Sequence, residues 1–309
     1  MKILVTEPEY LGADALSMLR GAGVVLARKM DRRELERRIL DADALMVRID
    51  TTVDKKLLKK AKKLRIVGSV TTSLDHIDIK YAGKMGIKVV SLHGAHTVPT
   101  AEYTVGMMLA LCRNVPWAHQ SLSSGVWKRY MFIGRELSGK TLGIVGFGKI
   151  GKQVAIYARA FGMKIIYYDP YVKSSRLGEK ARTLERLLGR SDIITVHALL
   201  TKETDNMIGY RQISMMKRDS LLLTSSAKGR VVNCKALLRA LKNGKIAGAA
   251  IDVFPNEPIS GPNDELIAYA RGHRNLLVTP HIGGSTKEAI DRASLEIAAA
   301  IAGELKGRK

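Results

Sequence analysis

Three glycines and one acid near the middle of the chain have the types and spacing needed to bind a dinucleotide. Gly146, Gly148 and Gly151 form the pattern Gly-x-Gly-x-x-Gly, and Asp169 follows the last of them at a distance of 18 residues. The first glycine allows a tight turn, the second lets backbone N–H groups approach a pyrophosphate, and the third lets a helix pack closely on a strand. Asp169 would accept hydrogen bonds from the adenosine ribose and would repel a 2′-phosphate. These residues predict NAD rather than NADP as the cofactor.

The elements around these residues have the order that a dinucleotide-binding βαβ unit requires. An apolar run at 142–145 is typical of a buried parallel strand, 152–161 of an amphipathic helix, and 164–168 of a second strand. The N-terminus of such a helix offers partial positive charge and N–H donors to a pyrophosphate. A glycine-rich turn alone would be a weak signal, since its glycines can serve packing, but this context makes it specific.

A second glycine motif, Gly-x4-Gly-Lys-Thr at 134–141, matches phosphate-binding loops in pattern but not in context. Those loops follow a strand and open a helix, whereas here a strand follows the motif and none precedes it. We therefore exclude a nucleoside triphosphatase.

The rest of the chain predicts a second lobe. Strand and helix patterns alternate along the first ~90 residues without a glycine fingerprint, which indicates a parallel α/β lobe that could bind a substrate. Residues 116–137 are interpreted as polar and irregular, and the region around Pro255, Pro258 and Pro262 as a loop. A final helix at 287–305 is expected to return to the first lobe. Two domains also agree with the length of 309 residues.

The chain is strongly basic, with a formal net charge of +22 from 51 Lys and Arg against 29 Asp and Glu. Such a charge attracts anionic ligands. The basic residues are spread along the chain at spacings typical of solvated helix faces. Aromatic residues make up 5% of the chain and are not interleaved with the basic runs. The pattern therefore argues against specific nucleic-acid binding.

The chain shows no signal for a membrane, a secretory leader or a metal. It lacks an apolar run of ~18 residues, and its N-terminus lacks the apolar core and cleavage site of a signal peptide, so we expect a cytoplasmic protein. Cys112 and Cys234 stand in dissimilar contexts, which indicates neither a disulfide framework nor a metal site.

Six segments, in order along nearly the whole chain, carry a family resemblance. They are Leu-Met-Val-Arg at 45–48, Asp-His-Ile-Asp at 75–78, Ala-Glu-Tyr-Thr-Val-Gly at 101–106, Glu-Leu-Ser-Gly-Lys-Thr-Leu-Gly-Ile-Val-Gly at 136–146, Gly-Ala-Ala-Ile-Asp-Val-Phe with Glu-Pro at 248–254 and 257–258, and Thr-Pro-His-Ile-Gly-Gly-Ser-Thr at 279–286. With these segments the chain resembles the D-isomer-specific 2-hydroxyacid dehydrogenases, most closely phosphoglycerate dehydrogenases without a regulatory tail.

The resemblance implies an α/β fold of two Rossmann-like or flavodoxin-like parallel-sheet lobes with a cleft between them. Residues 1–95 plus 285–309 would form the substrate-binding (catalytic) domain, and residues 96–284 the NAD-binding Rossmann domain. It also implies a homodimer joined through the NAD domains, to which the helix near 100–112 and the region 117–127 would contribute.

The activity implied by the resemblance is the NAD-dependent interconversion of a small D-2-hydroxy acid and its 2-keto acid. The favoured substrate is 3-phosphoglycerate, in the first step of serine biosynthesis. Two alternatives stay open: a reductase of glyoxylate or hydroxypyruvate, and a non-catalytic NAD(H)-sensing protein on the same scaffold.

Hydride transfer from an alcohol carbon needs a base for the hydroxyl proton and a cation to polarise the developing carbonyl. His281 suits the base, because the pKa of imidazole lies near neutrality. A lone histidine fits a structural role in a loop as well as it fits a catalytic base. Here, however, Glu257 and the Pro-His-x-Gly-Gly context match the family's acid–histidine pair. At the position of the family's arginine this chain has Lys228, a compact charge in place of a planar fork. Arg230 could compensate if its loop is extended.

The remaining site residues are assigned by the resemblance alone. For the cofactor they are Thr72, Lys149, Ile150, Ala198, Ser226, Asp252, His281 and Gly284, with Asp252 facing the nicotinamide amide. For the substrate they are Arg48 and Arg129 at a phosphate group, and Thr71, Thr72, Ser73 and Lys228 near the acid. Residues 71–73 replace a Gly-x-Gly of the family, so a left-handed backbone at Thr71 or Ser73 would be strained.

Overall fold

The computed structural model describes residues 1–71, 74–92, 94–225, 229–257, 259 and 264–307. The chain divides into two compact units, Met1–His96 with Ser285–Lys309, and Thr97–Gly284. Each unit is an α/β lobe built on a parallel sheet, as predicted.

The first unit contains, among its described residues, a five-stranded parallel sheet in the order β2-β1-β3-β4-β5. Its strands are β1 (Lys2–Val5), β2 (Val24–Ala27), β3 (Ala44–Val47), β4 (Ile66–Ser69) and β5 (Lys88–Ser91). Its helices are α1 (Ala13–Arg20), α2 (Arg32–Arg38), α3 (Lys55–Lys60), α4 (Ile79–Lys84) and, from the end of the chain, α12 (Lys287–Lys306), with short 3₁₀ helices at Pro8–Tyr10 and Ile39–Asp41.

The return of α12 to the first unit has a packing cause in β4. A Cβ placed on Gly68 would lie 2.5 Å from the side chain of Ile297 and 3.0 Å from that of Ile301. The missing side chain therefore lets the apolar face of α12 come directly onto the strand. Ile297 and Ile301 are fully buried there, in a cluster with Ile3 of β1 and Met46 of β3.

The second unit contains, within the described part of the chain, a seven-stranded parallel sheet in the order β12-β11-β10-β9-β6-β7-β8. Its strands are β6 (Thr141–Val145), β7 (Lys164–Tyr168), β8 (Glu179–Lys180), β9 (Ile193–Val196), β10 (Leu221–Thr224), β11 (Gly248–Ile251) and β12 (Leu276–Val278). Its helices are α5 (Thr97–Cys112), α6 (Val115–Ser123), α7 (Lys149–Ala160), α8 (Leu184–Arg190), α9 (Tyr210–Ser214), α10 (Cys234–Lys242) and α11 (Glu265–Gly272), with a 3₁₀ helix at Arg129–Phe132.

The strand orders define where a ligand can enter each sheet. In an open parallel sheet, ligands bind at the carboxyl ends of the strands, at the point where the strand order reverses. In the second unit this switch point lies between β6 and β9, and in the first unit between β1 and β3. Residues just after these four strands are therefore placed to contact a ligand.

One segment expected to be irregular contains a helix, and a second helix that was not predicted follows the proline-marked loop. The prediction of an irregular 116–137 was wrong at its start, because Pro116 occupies the first turn of α6 and Asn114 caps it in a left-handed conformation (φ 57°). The proline-marked loop is followed by α11, whose first turn is capped by Asp264, which accepts the N–H groups of Leu266 and Ile267. Proline at a helix start and an acidic cap are both signals that a composition-based interpretation overlooks.

Across the ranges that the structure describes, no helix is both long enough and apolar enough to cross a membrane.

Candidate active site

The three fingerprint glycines occupy a turn that each of them makes possible. Gly146 follows β6 with φ +87°, and a Cβ there would lie 2.6 Å from the backbone nitrogen of Ala198, which follows β9. A Cβ on Gly151 would lie 2.3 Å from the carbonyl oxygen of Gly146, so the first turn of α7 packs directly against the loop. By contrast, among the described residues beyond Gly148's own chain neighbours and helix backbone, no atom lies within 4 Å of a Cβ placed there. The open side of the turn is therefore at Gly148, where the fingerprint predicts the pyrophosphate.

The N-terminus of α7 fits an anion. Gly148 is its N-cap and supplies no side-chain cap, so the N–H groups of the first turn are directed toward the open side of the loop. Lys149 and Ile150 are the first two residues of this helix. The helix is 12 residues long, and its dipole favours negative charge at this end.

Asp169 lies at the end of β7 and shapes the glycine turn. Its Oδ2 accepts the N–H of Phe147 at 2.7 Å, while Oδ1 accepts the N–H groups of Tyr171 at 2.8 Å and Val172 at 3.1 Å. Phe147 is fully buried and stacks on Tyr167 with ring centroids 3.9 Å apart, which anchors the turn from below. Because each carboxylate oxygen can accept two bonds, Asp169 keeps one acceptor position, on Oδ2, for a ribose hydroxyl.

His281 and Glu257 form a hydrogen-bonded pair in the second unit. His281 Nδ1 lies 2.5 Å from Glu257 Oε2, and Glu257 Oε1 accepts the N–H of Phe254 at 2.7 Å. The carboxylate is therefore fixed to the backbone before it orients the ring. The side chain of His281 is 49% exposed and that of Glu257 26%. With Nδ1 committed to the carboxylate, proton exchange with a ligand goes through Nε2.

The turn that carries His281 is held by Asp252, which follows β11 and is fully buried. Its Oδ1 accepts the hydroxyl of Thr279 at 2.7 Å and the N–H of Ile282 at 2.9 Å, and its Oδ2 accepts the N–H of Gly283 at 2.8 Å. Its carbonyl oxygen also accepts the N–H of His281 at 2.9 Å. His281 itself has φ +53°, a conformation that a non-glycine residue adopts at a cost. Asp252 thus holds a strained histidine in place.

This arrangement gives Asp252 a task that the sequence did not predict. Its position opposite the nicotinamide amide stays a prediction of the resemblance, and in the structure its carboxylate accepts three donors from residues 279–283. The sequence pointed to this role only in part. An acid directly after a buried strand is as typical of an exposed loop as of a buried residue that accepts hydrogen bonds from a neighbouring turn.

The chain after β10 reaches the same region. Ser225 accepts or donates a hydrogen bond with Thr104 at 2.6 Å, both buried, and a Cβ on Gly229 would lie 2.2 Å from the carbonyl carbon of Phe254. Glycine is therefore required where this loop meets the segment that leads to Glu257. Arg230, considered as a substitute for the family's arginine, instead pairs with Asp205.

Four of the predicted site residues, Thr72, Ser73, Ser226 and Lys228, lie outside the described residues. Gly284, the last residue of the second unit, follows the Gly283 that Asp252 binds.

The predicted substrate arginines belong to different units. Arg48 follows β3 in the first unit, where its guanidinium carbon lies 3.7 Å from the centre of the Tyr10 ring. Thr71 follows β4, and its hydroxyl lies 2.7 Å from that of Ser69. Arg129 begins the 3₁₀ helix of the second unit, is exposed, and lies 5.5 Å from the centre of the Tyr130 ring.

The titratable side chains that the structure describes form no metal-binding arrangement. Among the described residues, His, Cys, Asp and Glu side chains nowhere gather in a group of three that could hold a metal ion.

Burial shifts the pKa of two groups in the second unit. It lowers the pKa of His197, next to Ala198, to about 4, and it raises the pKa of the Cys234 thiol to about 11. Cys234 is thus a protonated thiol at neutral pH.

Residues 105–283 match the family model of the D-isomer specific 2-hydroxyacid dehydrogenase NAD-binding domain. This match covers the glycine turn, Asp169, Asp252, Glu257 and His281. The chain belongs to the D-isomer-specific 2-hydroxyacid dehydrogenase family. The cofactor prediction is confirmed, because the matched domain is the one with which this family binds NAD.

Relatives from sequence and structure comparisons agree with this assignment. A D-3-phosphoglycerate dehydrogenase of Methanocaldococcus jannaschii is 42% identical over 99% of this chain, which spans 58% of that protein's length. The TT0316 protein from Thermus thermophilus superposes with a TM-score of 0.90 at 31% identity, covering 100% of this chain and 98% of the other. A D-lactate dehydrogenase from Aquifex aeolicus, crystallised with NAD and lactic acid, superposes with a TM-score of 0.85 at 28% identity, covering 99% and 96%.

Proposed function

We propose that this chain is an NAD-dependent oxidoreductase that interconverts a small D-2-hydroxy acid and its 2-keto acid, with 3-phosphoglycerate as the favoured substrate. That substrate would place the reaction at the first step of serine biosynthesis. The observation that carries the proposal is the hydrogen bond of His281 to Glu257, on the unit that contains the dinucleotide turn.

The cofactor would be held by the second unit's own groups. The open side of Gly148 and the first turn of α7 suit the pyrophosphate, and Asp169 suits the ribose. NAD, when bound, supplies the hydride acceptor for oxidation of the alcohol carbon.

The proton chemistry would belong to His281. In the oxidative direction Nε2 takes the hydroxyl proton of the substrate while Nδ1–H donates to Glu257, whose negative charge stabilises the imidazolium that forms. In the reductive direction the same Nε2–H donates the proton. The Asp252 clamp on residues 279–283 keeps the ring in one place, which matters because proton transfer depends on distance.

An anionic substrate agrees with the cations of the chain. Lys228 would polarise the carbonyl, and Arg48 and Arg129 would contact a phosphate group. The relatives named D-3-phosphoglycerate dehydrogenase favour that substrate over glyoxylate or hydroxypyruvate. The net charge of +22 would also increase the local concentration of small anions. The first unit would then be the substrate-binding domain.

The test is turnover followed by NADH absorbance against 3-phosphoglycerate, D-glycerate, D-lactate, glyoxylate and hydroxypyruvate. We expect the highest kcat/KM for 3-phosphoglycerate. A higher value for glyoxylate or hydroxypyruvate would favour the reductase alternative. Binding of NADH without turnover of any of these acids would contradict an enzyme and favour the NAD(H)-sensing alternative.

We also propose a homodimer joined through the second unit. Support comes from large apolar side chains that lie exposed on α6 and in the segment between α6 and β6: Val115, Leu122, Trp127, Tyr130, Met131 and Ile133. A monomeric protein rarely exposes so many in one segment. Light scattering should give twice the chain mass, and the double variant Trp127→Ser with Ile133→Lys should give one chain mass. A monomeric wild type would contradict the dimer.

A further inference from the structure

The switch point of the first sheet contains a polar cluster that the proposed reaction leaves unexplained. Residues after β1 meet residues after β3 there, as they must in a sheet of the order β2-β1-β3. Glu7 follows β1 and is 5% exposed, although a buried carboxylate needs strong compensation. Hydrogen-bond donors around the carboxylate supply this compensation.

The Glu7 carboxylate accepts its hydrogen bonds from the turn that follows β3. Oε1 accepts the N–H of Arg48 at 3.0 Å and the hydroxyl of Thr51 at 2.7 Å, and Oε2 lies 3.4 Å from the N–H of Asp50. Thr51 also exchanges a hydrogen bond with the buried Thr6 at 2.7 Å. The backbone of residues 48–51 is therefore shaped by one buried acid.

The guanidinium of Arg48 is held from a different side. It stacks over Tyr10 at 3.7 Å from the ring centre, and Tyr10 ends a 3₁₀ helix that begins with Pro8, directly after Glu7. In the described residues no carboxylate oxygen lies within 4 Å of a guanidinium nitrogen of Arg48. Arg32 of α2, by contrast, forms ion pairs with Glu36 and Asp54.

From this geometry we infer that Glu7 and Tyr10 are positioning residues for an anion site at the first unit's switch point, with Arg48 as its cation. Glu7 sets the backbone of Arg48, Tyr10 sets its guanidinium plane, and neither neutralises it by ion pairing. Such a cation is ordered in advance, so binding of a phosphate group loses less side-chain entropy. This inference rests on the proposed function for the identity of the ligand, a phosphorylated hydroxy acid.

The test is calorimetric titration of the full chain, at fixed ionic strength, with 3-phosphoglycerate and with D-glycerate, which lacks the phosphate. We expect Tyr10→Leu to raise the Kd of 3-phosphoglycerate by ~3- to 10-fold, the size of an aromatic–cation contact. In Tyr10→Leu the Kd values of D-glycerate and of NADH should stay within twofold of those of the wild type. Tyr10→Phe keeps the ring, so its Kd for 3-phosphoglycerate should also stay within twofold of the wild-type value. In steady-state kinetics KM should rise and kcat should not change.

Matched variants separate positioning from general stability. Tyr81→Leu removes a ring that lies 5.4 Å from Lys55 in the same unit and should leave the 3-phosphoglycerate Kd unchanged. Glu7→Gln should raise that Kd by roughly tenfold, since an amide replaces one of the acceptor oxygens with a donor. If Glu7→Gln does not fold, Tyr10→Leu and Tyr10→Phe decide.

The inference would be wrong if Tyr10→Leu and wild type bound 3-phosphoglycerate equally, or if Tyr81→Leu weakened it as much. The same applies if the wild type does not bind 3-phosphoglycerate. The proposed function fails in a different way: if Arg48- and Tyr10-dependent binding is seen but no hydroxy acid is oxidised, the anion site stands and the dehydrogenase does not.

Discussion

Nδ1 of His281 lies 2.5 Å from Oε2 of Glu257, while Oε1 of the same carboxylate accepts the N–H of Phe254. Because the backbone holds the acid and the acid orients the ring, removing the charge should affect catalysis more than folding. We expect Glu257→Gln to lower kcat by roughly 10²- to 10⁴-fold, the range of a general acid–base contribution. Its Kd for NADH should not change.

The matched control for this variant is Glu265→Gln, which alters an exposed acid at the start of α11 in the same unit. Its kcat should equal that of the wild type. A Glu257→Gln enzyme with full kcat would remove Glu257 from the mechanism.

Asp252→Asn should weaken both the second unit and its activity. The amide has one acceptor oxygen in place of two, so at least one of the N–H groups of Ile282 and Gly283 loses its partner. We expect the free energy of unfolding, measured in denaturant, to fall by ~1–3 kcal/mol, the usual cost of an unsatisfied buried donor. Thr279→Val, which removes one hydroxyl from the same carboxylate, should cost less. Equal stability of Asp252→Asn and wild type would show that the clamp contributes nothing.

Asp169 should determine the choice between NADH and NADPH. Asp169→Asn keeps an acceptor for the N–H of Phe147 but removes the charge that repels a 2′-phosphate. The ratio of kcat/KM for NADPH to that for NADH should rise by at least ~10-fold, which equals about 1.4 kcal/mol of electrostatic discrimination. A wild type that uses both cofactors equally would contradict the role of the acid.

Lys228, which lies outside the described residues, remains a prediction of the sequence. Lys228→Ala should lower kcat/KM by at least ~10²-fold, the scale of a lost charged contact to the transition state. Lys228→Arg restores the family's residue and should retain activity. An unchanged rate in Lys228→Ala would refute the assignment.

Acid should destabilise the second unit through His197. Burial lowers the pKa of His197 to about 4, below its ordinary value of 6.5, so the unfolded chain binds a proton more readily between these two pH values. Stability from this group is therefore present above pH ~6.5 and is lost as the pH falls toward ~4. Between pH 7 and pH 5 the expected loss is roughly 2 kcal/mol. His197→Gln should show a correspondingly smaller loss in the same denaturation experiment, and an identical pH dependence would argue against this origin.

Features with a local cause were predictable from the sequence. The bounds of β6 and β7, the positive φ of Gly146 and the close approach at Gly151 follow from apolar runs and from glycines at fixed spacing. The return of α12 was also expected, although its cause, the lack of a side chain at Gly68, is evident only in the structure.

Features that join distant residues were not predictable in the same way. Asp252 binds donors about 30 residues further along the chain, and Glu7 binds the turn at 48–51, about 40 residues away. A single acid after a strand gives no indication of which loop will fold over it. The pairing of Arg230 with Asp205 likewise depends on a loop geometry that spacing does not report.

The most direct test of the central claim is the rate of NADH formation from NAD and D-3-phosphoglycerate, measured for wild type and for His281→Gln after both are shown to bind NADH. We predict NADH formation by the wild type, and a rate at least ~10²-fold lower for the variant, because the base is lost while the cofactor turn is intact. Equal rates, or NADH binding without NADH formation from any D-2-hydroxy acid, would contradict the account.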